Sequence, residues 1–135
     1  MAKTITFLVQ SIVKVYDGDT LTVILDRGFH DYSTRDVRLS GIDAPELKTP
    51  TLEQGRKVRD AVTKWLAKRP NLFLLSYELD KEKYGRVLGD LIETTPVGGT
   101  LTAYLLANKL VKPYAGAAKS VWTPAELKVV TDFIL

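Results

Sequence analysis

The sequence predicts an α+β fold in which five β-strands form a Greek-key barrel and three helices pack against it. Two observations lead to this class. Short segments rich in β-branched residues alternate with turns that contain Gly, Asp or Pro, which is typical of strands. One amphipathic helical segment separates the third predicted strand from the fourth, and two more follow the fifth. No segment repeats, so we expect a single domain over residues 1–135.

A hairpin begins the predicted barrel. Residues 4–15 and 20–25 are rich in Ile, Val and Leu, and both predict strands. Asp17, Gly18 and Asp19 lie between them, and Asp and Gly tolerate the left-handed backbone angles of a hairpin turn. The two segments are therefore expected to pair with each other.

A third strand is expected over residues 35–40, after a polar loop over residues 26–34. The chain then leaves the strand through a turn that contains Pro45. Because proline has no N–H to donate to a strand ladder, the extended segment must end near Asp43.

The first helix is predicted to begin at Thr51. Thr51 is a suitable N-cap, and Gln54 three residues later would complete a capping box. Pro70 ends the helix, because proline cannot continue it. Apolar residues recur at helical spacing and define one expected buried face, made of Val58, Ala61, Val62, Trp65 and Leu66.

The second half of the chain predicts two strands and two helices. Residues 72–79 and 86–93 predict strands joined by a charged hairpin tip at residues 81–83, and a turn at residues 95–99 precedes a helix. That helix begins at Gly99 or Thr100 and carries Leu101, Tyr104 and Leu105.

The last helix has a strong start. Thr123 is expected to be the N-cap, Pro124 the first helical residue and Glu126 the third. Its expected buried face comprises Leu127, Val130, Phe133 and Ile134. The predicted order is three strands, a helix, two strands and two helices, and five strands with a helix between the third and fourth are the pattern of an OB-fold.

Composition excludes several classes of protein. Apolar residues make up 45% of the chain and charged residues 26%, a globular rather than a disordered balance. The absence of cysteine excludes disulfides and thiolate metal sites. A net charge of +3 permits a polyanionic partner without requiring one. With no membrane-length apolar stretch and no signal peptide, we expect an intracellular protein, or a secreted one if a signal was removed, and no membrane association.

Three polar clusters contain the residues that could carry chemistry. Residues 17–20 (Asp-Gly-Asp-Thr) predict, on their own, only a hairpin turn. Asp43 and Glu46 lie three residues apart across a proline turn, and they predict either solvated acids at a strand end or two acids facing one site. Arg38 alternates with apolar neighbours, so its side chain points away from the core or into a polar pocket.

The third cluster, residues 80–86 (Asp-Lys-Glu-Lys-Tyr-Gly-Arg), predicts either a charged hairpin tip or a phosphate clamp. An OB barrel would bring the three clusters together. Phosphodiester hydrolysis needs such a set, since it requires oxygen ligands for a hard cation, a carboxylate that accepts a proton from water, and guanidinium groups that stabilise the added charge on phosphorus.

In this order, the motifs Asp-Gly-Asp-Thr, Val-Arg-Leu-x-Gly-Ile-Asp-Ala-Pro-Glu and Tyr-Gly-Arg resemble those of the staphylococcal nuclease (thermonuclease-like) family, over about residues 13–114. The resemblance implies an OB-fold nuclease that uses calcium to hydrolyse DNA or RNA and leaves 3′-phosphates. It implies that Asp19, Asp43 and the backbone carbonyl of Ala44 bind the calcium. The staphylococcal enzyme has Thr at the position of Ala44, and a carbonyl ligand survives that change.

The resemblance also implies roles in catalysis and substrate binding. Glu46 matches the general base of the family, and Arg38 and Arg86 match the arginines that hold the scissile phosphate. The positions that match nucleotide contacts are Lys83, Tyr84 and Tyr114.

Two other functions remain open from the residues. The chain could be a non-catalytic OB module that binds single-stranded nucleic acid or protein, although the full set of acids and arginines favours activity. It could also be a calcium-binding interaction domain, which would leave Arg38, Lys83 and Arg86 unexplained. We expect DNA or RNA as the substrate, no obligate protein partner, and a monomer.

Overall fold

A computed structural model describes residues 5–81, 85–93, 99–114 and 119–135. The predicted hairpin tip lies partly outside these residues, and the predicted turn at residues 95–99 lies almost wholly outside them. The strands are β1 (Ile5–Val15), β2 (Thr20–Asp26), β3 (Tyr32–Leu39), β4 (Ile42–Asp43), β5 (Leu72–Lys81), β6 (Val87–Glu93) and β7 (Lys112–Pro113). The helices are α1 (Leu52–Ala67), α2 (Leu101–Ala107) and α3 (Pro124–Asp132).

In the described part of the chain, the five long strands close into a barrel with the neighbour order β1-β2-β3-β6-β5. β1 pairs antiparallel with both β2 and β5, which brings the first strand of the chain beside the strand that follows α1. β3 pairs in parallel with β6, and this pairing closes the barrel. The predicted fold class is confirmed: the architecture is a mixed, OB-fold-like barrel with three helices.

The core of the barrel is filled by alternate residues of the strands and by one face of α1. On β2, Leu21, Val23 and Leu25 point inward and are buried. Burial of a side chain of this size stabilises the fold by about 1.5–3 kcal/mol. The predicted apolar face of α1 is confirmed, since its members are all buried: Val58, Ala61, Val62, Trp65 and Leu66.

The third strand is longer than the sequence predicts. β3 begins at Tyr32 rather than at residue 35, because it pairs with β2 as far as Tyr32 opposite Asp26. The remaining loop is tight, and Gly28 and the next two residues all have positive φ. Cross-strand pairing therefore extends the strand into residues whose polarity had predicted a loop.

The predicted capping box at the start of α1 is wrong. Thr51 is the N-cap, but its side chain makes no cap hydrogen bond. Its hydroxyl instead donates to the carbonyl of Glu46 at 2.8 Å, and the Gln54 amide donates to the hydroxyl of Thr131 at 3.2 Å. Contacts with the preceding loop and with α3 thus replace the local ones.

The predicted start of α3 is confirmed, whereas its predicted buried face is only partly correct. Thr123 and Glu126 form a reciprocal capping box, with a proline in the first turn. Val130 is fully buried, but Ile134 is 89% exposed. The helix ends at Asp132 and the next residue is extended, so the helical periodicity that would have turned Ile134 inward has already stopped.

No helix among the described residues is both long enough and apolar enough to cross a membrane.

Candidate active site

The turn between β1 and β2 places Asp19 at one end of the barrel. The backbone N–H groups of Tyr16 and Asp17 donate to the carbonyl of Thr20 at 3.0 and 3.2 Å. The backbone N–H of Leu39 donates to the carbonyl of Asp19 at 2.8 Å and ties this turn to the end of β3. The hairpin turn predicted for residues 17–20 is therefore present, and the same turn places Asp19 beside the end of β3.

The carboxylate of Asp19 is buried and held from three sides. Its Oδ2 accepts a hydrogen bond from the backbone N–H of Ala44 at 3.0 Å, and its Oδ1 accepts one from the Thr20 hydroxyl at 3.1 Å. The guanidinium of Arg38 lies 3.6 Å from Oδ2. These contacts give the carboxylate a single orientation.

Arg38 is also buried and held rigidly. Its Nη1 donates to the carbonyl of Leu39 at 2.8 Å, and its Nη2 donates to the carbonyl of Ile42 at 2.7 Å. The ring of Tyr114 lies 5.8 Å from its guanidinium carbon, within the range of a cation–π contact. Tyr114, predicted as a nucleotide contact, is thus placed beside a predicted phosphate-binding arginine.

Asp43 is held by a long-range strand pair. β4 pairs with β7, which sets Asp43 opposite Lys112, and the N–H of Tyr114 donates to the carbonyl of Gly41 at 2.9 Å. The Asp43 carboxylate is buried, and its Oδ1 accepts no well-aligned hydrogen bond from the described residues. The ammonium of Lys119 lies 3.2 Å from that oxygen, so the contact is an ion pair.

Arg86 and Glu46 lie nearer to solvent. The Nη1 of Arg86 donates to the hydroxyl of Thr20 at 3.1 Å, and that hydroxyl in turn donates to Asp19. Glu46 follows β4, and its Oε2 lies 3.1 Å from the ammonium of Lys48. Its side chain is 52% exposed, so solvent can reach its carboxylate.

These side chains surround one cavity of ≈ 330 Å³ at the end of the barrel. Asp43 contributes no lining atoms, but its ion-pair partner Lys119 does. Lys83 and Tyr84 lie outside the described residues. The lining residues are Tyr16, Asp17, Asp19, Arg38, Ala44, Glu46, Leu47, Lys48, Arg86 and Lys119.

Two titrating groups at the cavity have displaced pKa values. Burial, together with the negative charge of Asp19, raises the pKa of Asp17 to about 6. Burial alone would lower the pKa of Lys119, but its contact with the carboxylate of Asp43 outweighs that effect and raises the pKa above its ordinary value. Burial and neighbouring carboxylates together set the pKa values of both groups.

The donors fit a hard cation held partly by water and by a phosphate. Two buried carboxylates, Asp19 and Asp43, and the carbonyl of Ala44 offer oxygen ligands only, which is the preference of calcium. The Asp43 oxygen without a well-aligned hydrogen bond is a donor atom that a cation could use. Among the described residues, no group of three or more His, Cys, Asp or Glu side chains is placed to hold a metal ion.

Lys119 and Asp17 are two of the cavity residues to which the sequence assigned no role. Asp17 lies within the Asp-Gly-Asp motif, and two carboxylates so close in sequence already predict mutual repulsion. Lys119 follows no motif, and only the fold brings it to Asp43, 76 positions earlier in the chain. No sequence pattern could have found it.

Comparison with known proteins adds no assignment to this geometry. No protein-family model matches the chain, and no curated protein matches it.

Proposed function

We propose that the chain is a calcium-dependent nuclease that hydrolyses phosphodiester bonds of DNA or RNA and leaves 3′-phosphates. The observation that carries the proposal is the linked set of Arg38, Asp19, Thr20 and Arg86 around one cavity, with Glu46 at the same opening. The motif resemblance to thermonuclease-like enzymes supports the same reaction.

Two guanidinium groups face this cavity, and both suit a phosphate. Arg38 uses only part of its donor set on the carbonyls of Leu39 and Ile42, and those bonds hold the planar group in one orientation. Arg86 is half-buried and reaches the cavity beside Thr20. In the proposed reaction, both groups stabilise the charge that develops on the phosphoryl oxygens, and one assists the departing 5′ oxygen.

Glu46 is the proposed general base. It is the most exposed acid of this cavity, since Asp17 is half-buried and the Asp19 carboxylate is buried and hydrogen-bonded. An accessible carboxylate at the cavity opening can accept a proton from a water molecule that attacks phosphorus from that side. The ammonium of Lys48 lies 3.1 Å from its Oε2 and is itself exposed, so this ion pair does not shield the carboxylate from solvent.

The proposed cation ligands are Asp19, Asp43 and the carbonyl of Ala44. A bound calcium ion would offset the phosphate charge and activate the attacking water. The hydrogen bond from the N–H of Ala44 to Asp19 holds two of these donors in a fixed relation. The three donors come from the turn before β2 and from the end of β4, so the fold orients them before any ligand arrives.

The direct test measures cleavage of DNA and of RNA in parallel, with calcium and with EDTA. We expect degradation in calcium and none in EDTA. The products should become labelled at the 3′ end only after a phosphatase has removed the 3′-phosphate. Glu46→Gln should reduce the rate by about a hundredfold or more, because it removes the proton acceptor and keeps the side-chain shape.

Glu53→Gln is the matched control, because Glu53 is an exposed acid in the first turn of α1 and does not line the cavity. Its rate should stay near that of the unsubstituted protein. Nucleic acid that stays intact with calcium, while its mobility shifts in a gel, would contradict hydrolysis and support a non-catalytic binding module instead.

A further inference from the structure

The ion pair between Lys119 and Asp43 joins two side chains with very different freedom. The Asp43 side chain is 7% exposed, and the pairing of β4 with β7 fixes its backbone. The Lys119 side chain is 45% exposed, and its ammonium sits on a long, flexible stem. The carboxylate is thus held in place, whereas the ammonium can move from the carboxylate into water.

The pairing also satisfies a charge that would otherwise be costly to bury. An isolated buried carboxylate is strongly disfavoured, and Asp43 Oδ1 has no well-aligned hydrogen bond from the described residues. Two other cations of this region are engaged elsewhere: Arg38 contacts Asp19 and two backbone carbonyls, and Lys112 pairs with Glu126. Lys119 therefore supplies the counter-charge for Asp43 in this structure.

We propose that Lys119 is a displaceable counter-ion of Asp43, and that it sets the calcium concentration at which the site fills. The inference rests on the proposed function, since it takes Asp43 as a calcium ligand. A divalent cation and an ammonium compete for the same carboxylate oxygen, so binding of one requires departure of the other. Calcium affinity is then lower than the oxygen donors alone would give.

Calcium titration by calorimetry tests this competition without any measurement of activity. Lys119→Gln keeps most of the side-chain length and removes the charge, so we expect the dissociation constant for calcium to fall about five- to tenfold. Lys119→Arg keeps the charge and should bind calcium as the unsubstituted protein does. Thermal unfolding gives a second readout: in EDTA, Lys119→Gln should melt at a lower temperature, and calcium should raise its melting temperature by more.

Lys48→Gln is the matched control. It also removes one positive charge from the cavity, but Lys48 pairs with Glu46 rather than with Asp43. Its calcium affinity should change by less than about twofold, since surface charges act weakly at a distance in salt. An equal gain in affinity for Lys48→Gln and Lys119→Gln would overturn the inference, because general electrostatics would then explain both.

Two further outcomes separate the inference from the proposed function. Equal calcium affinity in the unsubstituted protein and in Lys119→Gln would overturn the role of Lys119 and leave a calcium-dependent nuclease intact. No calcium binding to any of the four proteins would overturn both.

Discussion

The guanidinium of Arg38 lies 3.6 Å from the carboxylate of Asp19, and only 8% and 9% of the two side-chain surfaces are exposed. A pair of charges buried this deeply adds little net stability compared with apolar packing, because both groups lose their hydration. Removing one partner is different, since the other charge then stays buried without compensation. The pair therefore makes Arg38 a residue on which both the fold and the proposed chemistry depend.

Arg38→Ala should lower the free energy of unfolding by about 3 kcal/mol, because it leaves the Asp19 carboxylate buried without its counter-charge. Urea denaturation measures this loss. Arg35→Ala is the matched control on the same strand, since Arg35 is exposed, and we expect a change within about 0.5 kcal/mol. Similar losses for both variants would contradict the structural importance of the buried pair.

Arg86→Ala should separate catalysis from stability. Arg86 is half-buried and donates to the Thr20 hydroxyl, so its removal should cost about 1 kcal/mol of stability. In the proposed reaction it stabilises the transition state, so the cleavage rate should fall about a hundredfold or more. The rate measured at saturating substrate and calcium checks this. A rate like that of Arg35→Ala would remove Arg86 from the proposed mechanism.

Gly18→Ala should disturb the turn that carries Asp19. A Cβ at this position would lie 2.5 Å from Val58 Cγ1 and 2.7 Å from Ala44 Cβ, both of them buried residues. Such overpacking costs about 1–3 kcal/mol, and the midpoint of urea unfolding should move accordingly. Gly99→Ala offers the comparison, since a Cβ there meets nothing within 4 Å. An unchanged midpoint for Gly18→Ala would show that the turn can move away from α1 at little cost.

The buried carboxyl of Asp90 predicts a pH-dependent contribution to stability. Burial raises its pKa, although hydrogen bonds from Thr102 and from the N–H of Leu91 oppose this. A raised pKa means that the folded state binds the proton more tightly than the unfolded state. Stability from this group is therefore full below the ordinary carboxyl pKa of about 4 and is lost as the pH rises through the raised value.

Asp90→Asn keeps an oxygen that can accept the same two backbone N–H bonds and removes the charge. We expect the variant to gain stability relative to the unsubstituted protein as the pH rises from 4 to 7, and chemical denaturation at several pH values measures this. Asp36→Asn is the control, because Asp36 accepts a bond from the Thr22 hydroxyl at an exposed position. An equal pH dependence of stability in both variants would contradict burial of Asp90 as the cause of the effect.

The elements that could be predicted are those governed by neighbours a few residues apart. The apolar face of α1, the capping box of α3 and the hairpin between β1 and β2 each depend on spacing within one segment. Two of the predictions that failed involve distant partners. Gln54 bonds to Thr131 rather than to its own helix start, and β3 extends to Tyr32 because β2 lies beside it.

The candidate site divides in the same way. Motif order and the resemblance to the thermonuclease-like family were enough to select Asp19, Arg38, Asp43, Glu46 and Arg86 as candidates for phosphodiester hydrolysis. Only the closed barrel shows that Arg38 faces Asp19, that Thr20 links Asp19 to Arg86, and that Lys119 lies against Asp43. Which charge neutralises which carboxylate depends on contacts between segments far apart in the chain, and a linear pattern carries no information about those distances.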